Sequence, residues 1–406
     1  MIAHGFRNDE LDARGLYRDF LKTFRDHIGR DELKHRLEAR TFAVAGIFWP
    51  SKAFSEGGSG NEGHVQGLGG GADDEMQATR AQLEQMRHDV RPEQRATVDK
   101  ALALLDTLED DTTNQDEFVR LVLSLVDDVE ADPNEGLREV KSQAGSDLLA
   151  KLGTPIILPT RRDDDQGSTL AVDAGGGGSG EGKPLFVAGF FKSIAGKVGQ
   201  VLNLTTWYLM KNRSGSVGAN GVAPAVRAIK AAHPTLRIHL VGHSLGGRCM
   251  TACAKALAVP PKVRPDSLSL LEAAFSHYGL SPNNGKGSVG FFRDVITQRV
   301  VKGPLISTFS YQDTVVGTAY AISSRLAGDN VKQVGDKDDE FGGIGRNGTQ
   351  LTPEATGQPL AQVGNPYSFG LDVVNNLDGS GGAIKDHSDV TNPRVTYAVA
   401  CAVAQT

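Results

Sequence analysis

The sequence predicts an α/β protein, with a mostly parallel sheet of about six strands, helices on both faces and one helical insertion. Three observations carry this expectation. Short apolar runs of strand length alternate with segments of helical spacing, the pattern of parallel strands joined by crossover helices. Two glycine-rich stretches, residues 57–71 and 175–182, border a region whose apolar residues recur at helical spacing. The apolar run 236–241 ends in Gly242, His243, Ser244, Leu245 and Gly246, which reads as a strand turning sharply into a helix.

The elements follow in order. Asn8 and Asp9 are N-cap types, and Leu16, Phe20, Phe24 and Ile28 then mark one face of a first helix. Residues 41–48 form an apolar run of strand length, stopped by Trp49 and Pro50. Inside the insertion, four sets recur at helical spacing: Met76, Leu83, Met86; Val98, Leu102, Leu105; Phe118, Val122, Leu125, Val129; and Leu137, Val140, Leu148. Acidic residues fill the other faces, so this region reads as a solvated helical module, either a cap or partner surface or a structural decoration. Next comes a stripe of Phe186, Phe190, Ile194, Val198 and Val201, followed by Leu204, Trp207, Tyr208, Leu209 and Met210.

Val222, Val226 and Ile229 place a short helix ending near His233 and Pro234. Residues 236–241 are then a strand, and 245–257 the helix behind it. Residues 268–271 and 305–309 read as two further buried strands, and 369–374 as a weaker one. Pro393 starts a terminal helix carried by Val395, Val399 and Ala402. The division expected is a core of residues 1–50 and 185–406, with 185–216 a possible lid or cap, and an insertion of residues 51–184.

The chain has 406 residues, 39% of them hydrophobic, enough for one large or two modest cores. A formal net charge of −6 provides no electrostatic footprint for nucleic acid or an anionic membrane surface. The first six residues carry neither a basic nor an apolar leader pattern, and no stretch reaches the roughly 18 apolar residues a spanning helix needs. The expectation is a cytoplasmic protein with no integral membrane segment. Three cysteines exclude a disulfide framework, and Cys249 and Cys253, four apart behind the serine turn, read as buried thiols. A metal site would need more Cys and His at ligand spacing, so none is expected.

A serine hydroxyl is a weak nucleophile and needs a base, and the base needs a group to orient it. In parallel sheets such groups gather beyond the carboxyl ends of strands. Asp313 follows the run 306–311, and His387 lies in the loop 386–389 between the last strand and the terminal helix. The chain order is therefore Ser244, Asp313, His387.

With that order and those residues, the chain resembles an α/β-hydrolase of the lipase and esterase type. Gly242-His243-Ser244-Leu245-Gly246-Gly247 looks like the lipase nucleophile elbow, and His4-Gly5-Phe6 like the His-Gly oxyanion loop. The likeness spans most of the chain outside about residues 51–184. It implies that Ser244 attacks a carboxylic ester, His387 shuttles the proton, Asp313 holds the imidazolium, and the Phe6 and Leu245 amides face the oxyanion. It also implies that the stripe ending in Trp207, Tyr208 and Met210 roofs an apolar acyl pocket, with a small or lipid-like ester as substrate and no cofactor. Amide or thioester hydrolysis would use the same parts. An interaction protein that kept the fold and docks through the insertion is a further alternative.

Competitors stand beside each assignment. Glu272, just after a strand, rivals Asp313, because a few lipases place the acid one strand earlier. His277 precedes every plausible acid, His243 reads as a packing or hydrogen-bonding residue, and His4 as the fastener of its loop. Asp386 and Asp389 are close enough to His387 in sequence to read as loop caps. Arg213 could meet an acidic substrate group or simply be a solvated loop residue. Two features depart from the family: only three residues precede His4, and the two leading antiparallel strands are missing. The expectation is either a minimal six-stranded sheet or a trimmed start.

Overall fold

In the computed structural model, which describes residues 1–52, 72–128, 132–153, 193–328 and 335–406, seven strands form one sheet. Their spatial order is β2 (Gly46–Ile47), β1 (Ile2–Ala3), β3 (His239–His243), β4 (Ser267–Leu271), β5 (Leu305–Phe309), β7 (Val374–Asp378) and β6 (Ala355–Pro359), and every neighbouring pair is parallel. All their carboxyl ends therefore point the same way, and residues that follow different strands meet at one edge of the sheet.

The central strands are apolar on both sides because helices cover both sides. Val241, Leu271, Ile306 and Leu377 pack on one face against Tyr17 and Phe20 of α1 (Glu10–Ile28), Leu33 and Leu37 of α2 (Asp31–Leu37), and Val395 and Val399 of the terminal helix Pro393–Ala404. Asp9 starts α1 with a reciprocal capping box to Asp12. Leu240, Leu268, Leu270 and Leu305 pack on the other face against Val226 of the helix Ala223–Ala232 and Cys249, Met250 and Cys253 of the helix Leu245–Leu257. All three cysteines are buried and unpaired.

Between β2 and β3 the insertion contributes α3 (Ala72–Asp89), α4 (Arg95–Leu104), α5 (Thr112–Leu123), α6 (Leu137–Lys141) and α7 (Gly145–Leu152). They are followed by α8 (Ile194–Val217), α9 (Ala223–Ala232) and α10 (Leu245–Leu257). The remaining helices are α11 (Arg293–Thr297), α12 (Thr314–Ala327), α13 (Ile344–Asn347) and α14 (Pro393–Ala404). Leu83, Met86, Val98, Phe118, Val122, Leu137 and Leu148 of the insertion share one apolar cluster with Val198, Trp207 and Tyr208 of α8, Val316 and Tyr320 of α12, and Leu245 at the start of α10. Most acidic side chains on the insertion's helices are solvated, with Asp132 and Glu135 between them buried, and the apolar faces are part of the same core that supports Ser244. Gly218 lets the chain leaving α8 lie directly on α10, since a Cβ there would stand 2.0 Å from the Cys249 carbonyl oxygen.

Four expectations need correction. The sheet has seven strands among the described residues, not six, and is wholly parallel. The additional strand, Ala355–Pro359, is a half-exposed edge segment without an apolar run to announce it. The strand expected at 369–374 is Val374–Asp378, where Asn375 and Asn376 occupy buried positions because side-chain bonds satisfy them: Asn375 Nδ2 donates to the Leu305 carbonyl at 3.0 Å and Asn376 Nδ2 to that of Thr349 at 3.2 Å. Of residues 41–48 only Gly46–Ile47 join the ladder, and Phe42, Val44 and Phe48 are exposed along the edge. The last insertion set divides into α6 and α7. Val129, Phe186, Phe190 and the two glycine-rich stretches lie outside the described residues. Among the described residues no helix is long and apolar enough to cross a membrane.

Candidate active site

Ser244 sits between the end of β3 and the first turn of α10 with φ 56° and ψ −126°, a left-handed conformation that costs a non-glycine residue about 1–3 kcal/mol and is held by its surroundings. The surroundings are specific. Its N–H donates to the Leu271 carbonyl at 3.0 Å, and its own carbonyl accepts from the Gly247 and Ala274 amides at 2.9 and 3.0 Å. Its side chain makes no capping bond to α10, which leaves the hydroxyl for other chemistry. Two glycines permit the approach of neighbouring chain. A Cβ on Gly246 would lie 2.3 Å from the Ala3 carbonyl oxygen, and one on Gly5 would lie 2.7 Å from Ser244 Cβ and 3.2 Å from its Oγ.

The loop after β1 therefore passes directly over the serine, and His4 fixes it. His4 Nδ1–H donates to the Gly5 carbonyl at 2.9 Å, so Nε2 carries the lone pair that accepts the Trp49 amide at 3.3 Å. The Trp49 indole N–H returns to the His4 carbonyl at 2.8 Å and the two rings stack 5.6 Å apart. Burial lowers the His4 pKa, favouring the neutral ring these bonds require. Among the described residues the Phe6 and Leu245 amides donate to no backbone carbonyl, so the two candidate oxyanion donors are not otherwise engaged by the main chain.

Asp313 and His387 meet although 74 positions separate them. Asp313 Oδ2 accepts from His387 Nδ1 at 2.7 Å, while its Oδ1 caps α12 by accepting the Val316 amide at 2.9 Å. The carboxylate is fully buried and both oxygens are used. Donation from Nδ1 leaves the lone pair of a neutral His387 on Nε2. The His387 ring lies 4.8 Å, centre to centre, from that of His243, the residue immediately before Ser244. No hydrogen bond joins Ser244 Oγ to His387 among the described residues. Serine–base contacts commonly tighten only when substrate binds.

The rivals have other partners. Glu272, at the end of β4, is fully buried with φ 39°; its Oε1 accepts from Thr308 Oγ1 at 2.8 Å and its Oε2 has no partner. Burial, reinforced by the charges of Asp313, Asp389 and Asp386, raises its pKa well above the carboxylate range, so this acid holds its proton. His277 Nδ1 pairs with the Asn347 amide at 3.2 Å, and burial pushes the ring down to about 3. Asp386 and Asp389 accept the Ser388 and Lys385 amides at 2.8 and 3.0 Å, which caps the loop carrying His387.

Of the three residues expected to touch substrate, Trp207 alone faces the loop after β1, its ring edge-on to Phe6 at 6.2 Å. Tyr208 instead donates its hydroxyl to the Glu135 carbonyl at 2.7 Å, and Met210 lines a cavity of about 360 Å³ with Met86, Leu125, Leu209 and Arg213, a cavity that Ser244 does not line. Arg213 stands on α8 rather than in a loop and bridges the Pro50 and Asp89 carbonyls at 3.1 and 3.2 Å. Sequence reasoning missed Lys211, whose buried ammonium pairs with Glu135 and Tyr320 and lies over the Trp207 ring at 5.0 Å. Burial takes it down to about 8 against the pull of Glu135. A lysine on a helix usually marks the solvent face, and the one available signal was its position directly after an apolar stripe. No family model, no curated protein and no solved structure matches this chain.

Proposed function

We propose that this protein is a serine hydrolase of the α/β-hydrolase type that cleaves carboxylic esters through an acyl-enzyme on Ser244. The observation that carries the reading is the arrangement just described: a strained serine at a strand-to-helix turn, with a buried Asp313–His387 pair bonded at 2.7 Å and held beside that turn. In this reading Ser244 Oγ attacks the ester carbonyl while His387 Nε2 takes its proton. Asp313 stabilises the imidazolium that results, and the Phe6 and Leu245 amides stabilise the oxyanion, each such donor contributing about 3 kcal/mol. The imidazolium returns its proton to the departing alcohol, and water then repeats the sequence on the acyl-enzyme. The same parts would serve an amide or thioester, and the ester assignment follows from the resemblance to lipases and esterases.

The test is turnover of p-nitrophenyl esters of graded acyl length by the full chain. A pre-steady-state burst of nitrophenol in the wild type, lost in Ser244→Ala, is the expected result. Activity should also rise with pH as imidazole loses its proton, since only the neutral ring accepts the serine proton. Absence of turnover across the series by the folded protein would favour the interaction-protein reading.

A further inference from the structure

His243 is the middle residue between the elbow's first glycine and its serine, and its side chain is buried and spoken for. Its Nε2 lies 2.8 Å from the backbone carbonyl oxygen of His387. A carbonyl can only accept, so the proton is on Nε2. Nδ1 is then a bare lone pair, and it is buried without a partner, on the side of the ring that faces Gly5: a Cβ placed on Gly5 would stand 3.3 Å from it. The ring also packs against that of His387, 4.8 Å away at 42°. One imidazole thus touches the nucleophile elbow, the oxyanion loop and the loop of the base.

We propose that His243 is a positioning residue that ties the backbone of His387 to the nucleophile elbow and so sets where the His387 ring stands relative to Ser244. His387 has two anchors. Asp313 fixes the ring through Nδ1, but the ring can swing about that contact unless the backbone is held as well. The loop 386–389 is capped by its own aspartates, which shape it locally without fastening it to the elbow. The His243 bond supplies the fastening, and it joins the two loops through a residue adjacent to the serine. Burial and the neighbouring His387 lower the His243 pKa to about 3, so the ring stays neutral and the tautomer is preserved through the physiological range.

The proposal rests on the hydrolase reading for its catalytic consequence, and the experiment separates the two. Three forms are compared: wild type, His243→Phe, which keeps a ring but has no donor, and His243→Gln, whose amide N–H can still donate. The expected result is that His243→Phe lowers kcat about 10- to 100-fold with KM changed less than about threefold, as a displaced catalytic group does, and that His243→Gln recovers most of the loss. The low-field proton resonance of the His387–Asp313 hydrogen bond should persist in wild type and His243→Gln and broaden in His243→Phe. Ring nitrogen shifts of the wild type alone should report His243 as the Nε2–H tautomer, which covers the case in which a variant does not fold. An Nδ1–H tautomer, or a His243→Phe protein with wild-type kcat and an unchanged resonance, would overturn the proposal. Should the wild type show no ester turnover while the resonance still depends on His243, the anchor stands and the hydrolase reading falls.

Discussion

The ends of β4 and β5 lie side by side, and each carries a buried carboxyl near a buried histidine: Glu272 with His277 of the same segment, and Asp313 with His387 of the loop after β7. At β5, Asp313 uses both oxygens, one on His387 and one on the start of α12. At β4, Glu272 bonds only Thr308, leaves one oxygen bare and keeps its proton, while His277 turns to Asn347. Both sites satisfy the rule that functional groups follow strand ends. What distinguishes them is the partner: the Asp313 carboxyl is bonded to an imidazole whose positive charge it can stabilise, and the Glu272 carboxyl is bonded only to a threonine hydroxyl.

The strongest way to break this comparison is to delete the two histidines. His387→Ala should reduce p-nitrophenyl ester turnover by about 10³-fold or more, whereas His277→Ala should leave the activity of its folded fraction within about threefold. The acids come next. Asp313→Asn should cost about 10³- to 10⁴-fold in kcat, because the amide cannot hold the imidazolium, and Glu272→Gln should cost less than about threefold, because glutamine mimics the protonated acid. Equal losses at the two acids would erase the distinction. A smaller effect should separate two residues of α8: Trp207→Phe is expected to lower kcat by about three- to tenfold by shifting Phe6, while Met210→Leu, in a cavity that Ser244 does not line, should leave kcat unchanged.

Stability should show the contrast with opposite signs. The folded-state pKa of Glu272 is raised, so its contribution is fully present below the unfolded carboxyl value, near 4.3, and is lost as pH rises through the folded value. For His277 the folded value is depressed to about 3, so its contribution is fully present above the unfolded value, near 6.5, and is lost as pH falls toward 3. In urea unfolding, Glu272→Gln should therefore gain on the wild type between pH 4 and 8, and His277→Gln should gain on it as pH falls from 7 to 4. Parallel trends in the two variants would show that the burial of one of these groups has been misjudged.

Much of this arrangement was legible in the residues. The helix bounds at 245–257, the capping of α1 by Asp9 and the run at 305–309 follow directly from periodicity and turn chemistry, since each is a local property. The pairing of Asp313 with His387 needed chain order and the strand-end rule as well, because the contact joins segments that follow two neighbouring strands, β5 and β7, but lie far apart in the chain. Polar elements were not legible. Val374–Asp378 hides in the sheet interior because its asparagines are satisfied by carbonyls from distant segments, and Ala355–Pro359 has no burial pattern to read. Lys211 escaped notice for the same reason, since its burial depends on Glu135 arriving from the insertion. Local pattern reports what a segment buries, and only the tertiary structure reports which polar groups it brings a partner for.

In the proposed mechanism Ser244 is the nucleophile and the Asp313–His387 pair activates it. The most direct measurement is reaction of the folded chain with a fluorophosphonate, followed by mapping of the modified peptide by mass spectrometry. One adduct on Ser244 is predicted for the wild type, with none in Ser244→Ala and strongly slowed labelling in His387→Ala. A folded wild type that takes no label, or takes it at another residue, would contradict the account.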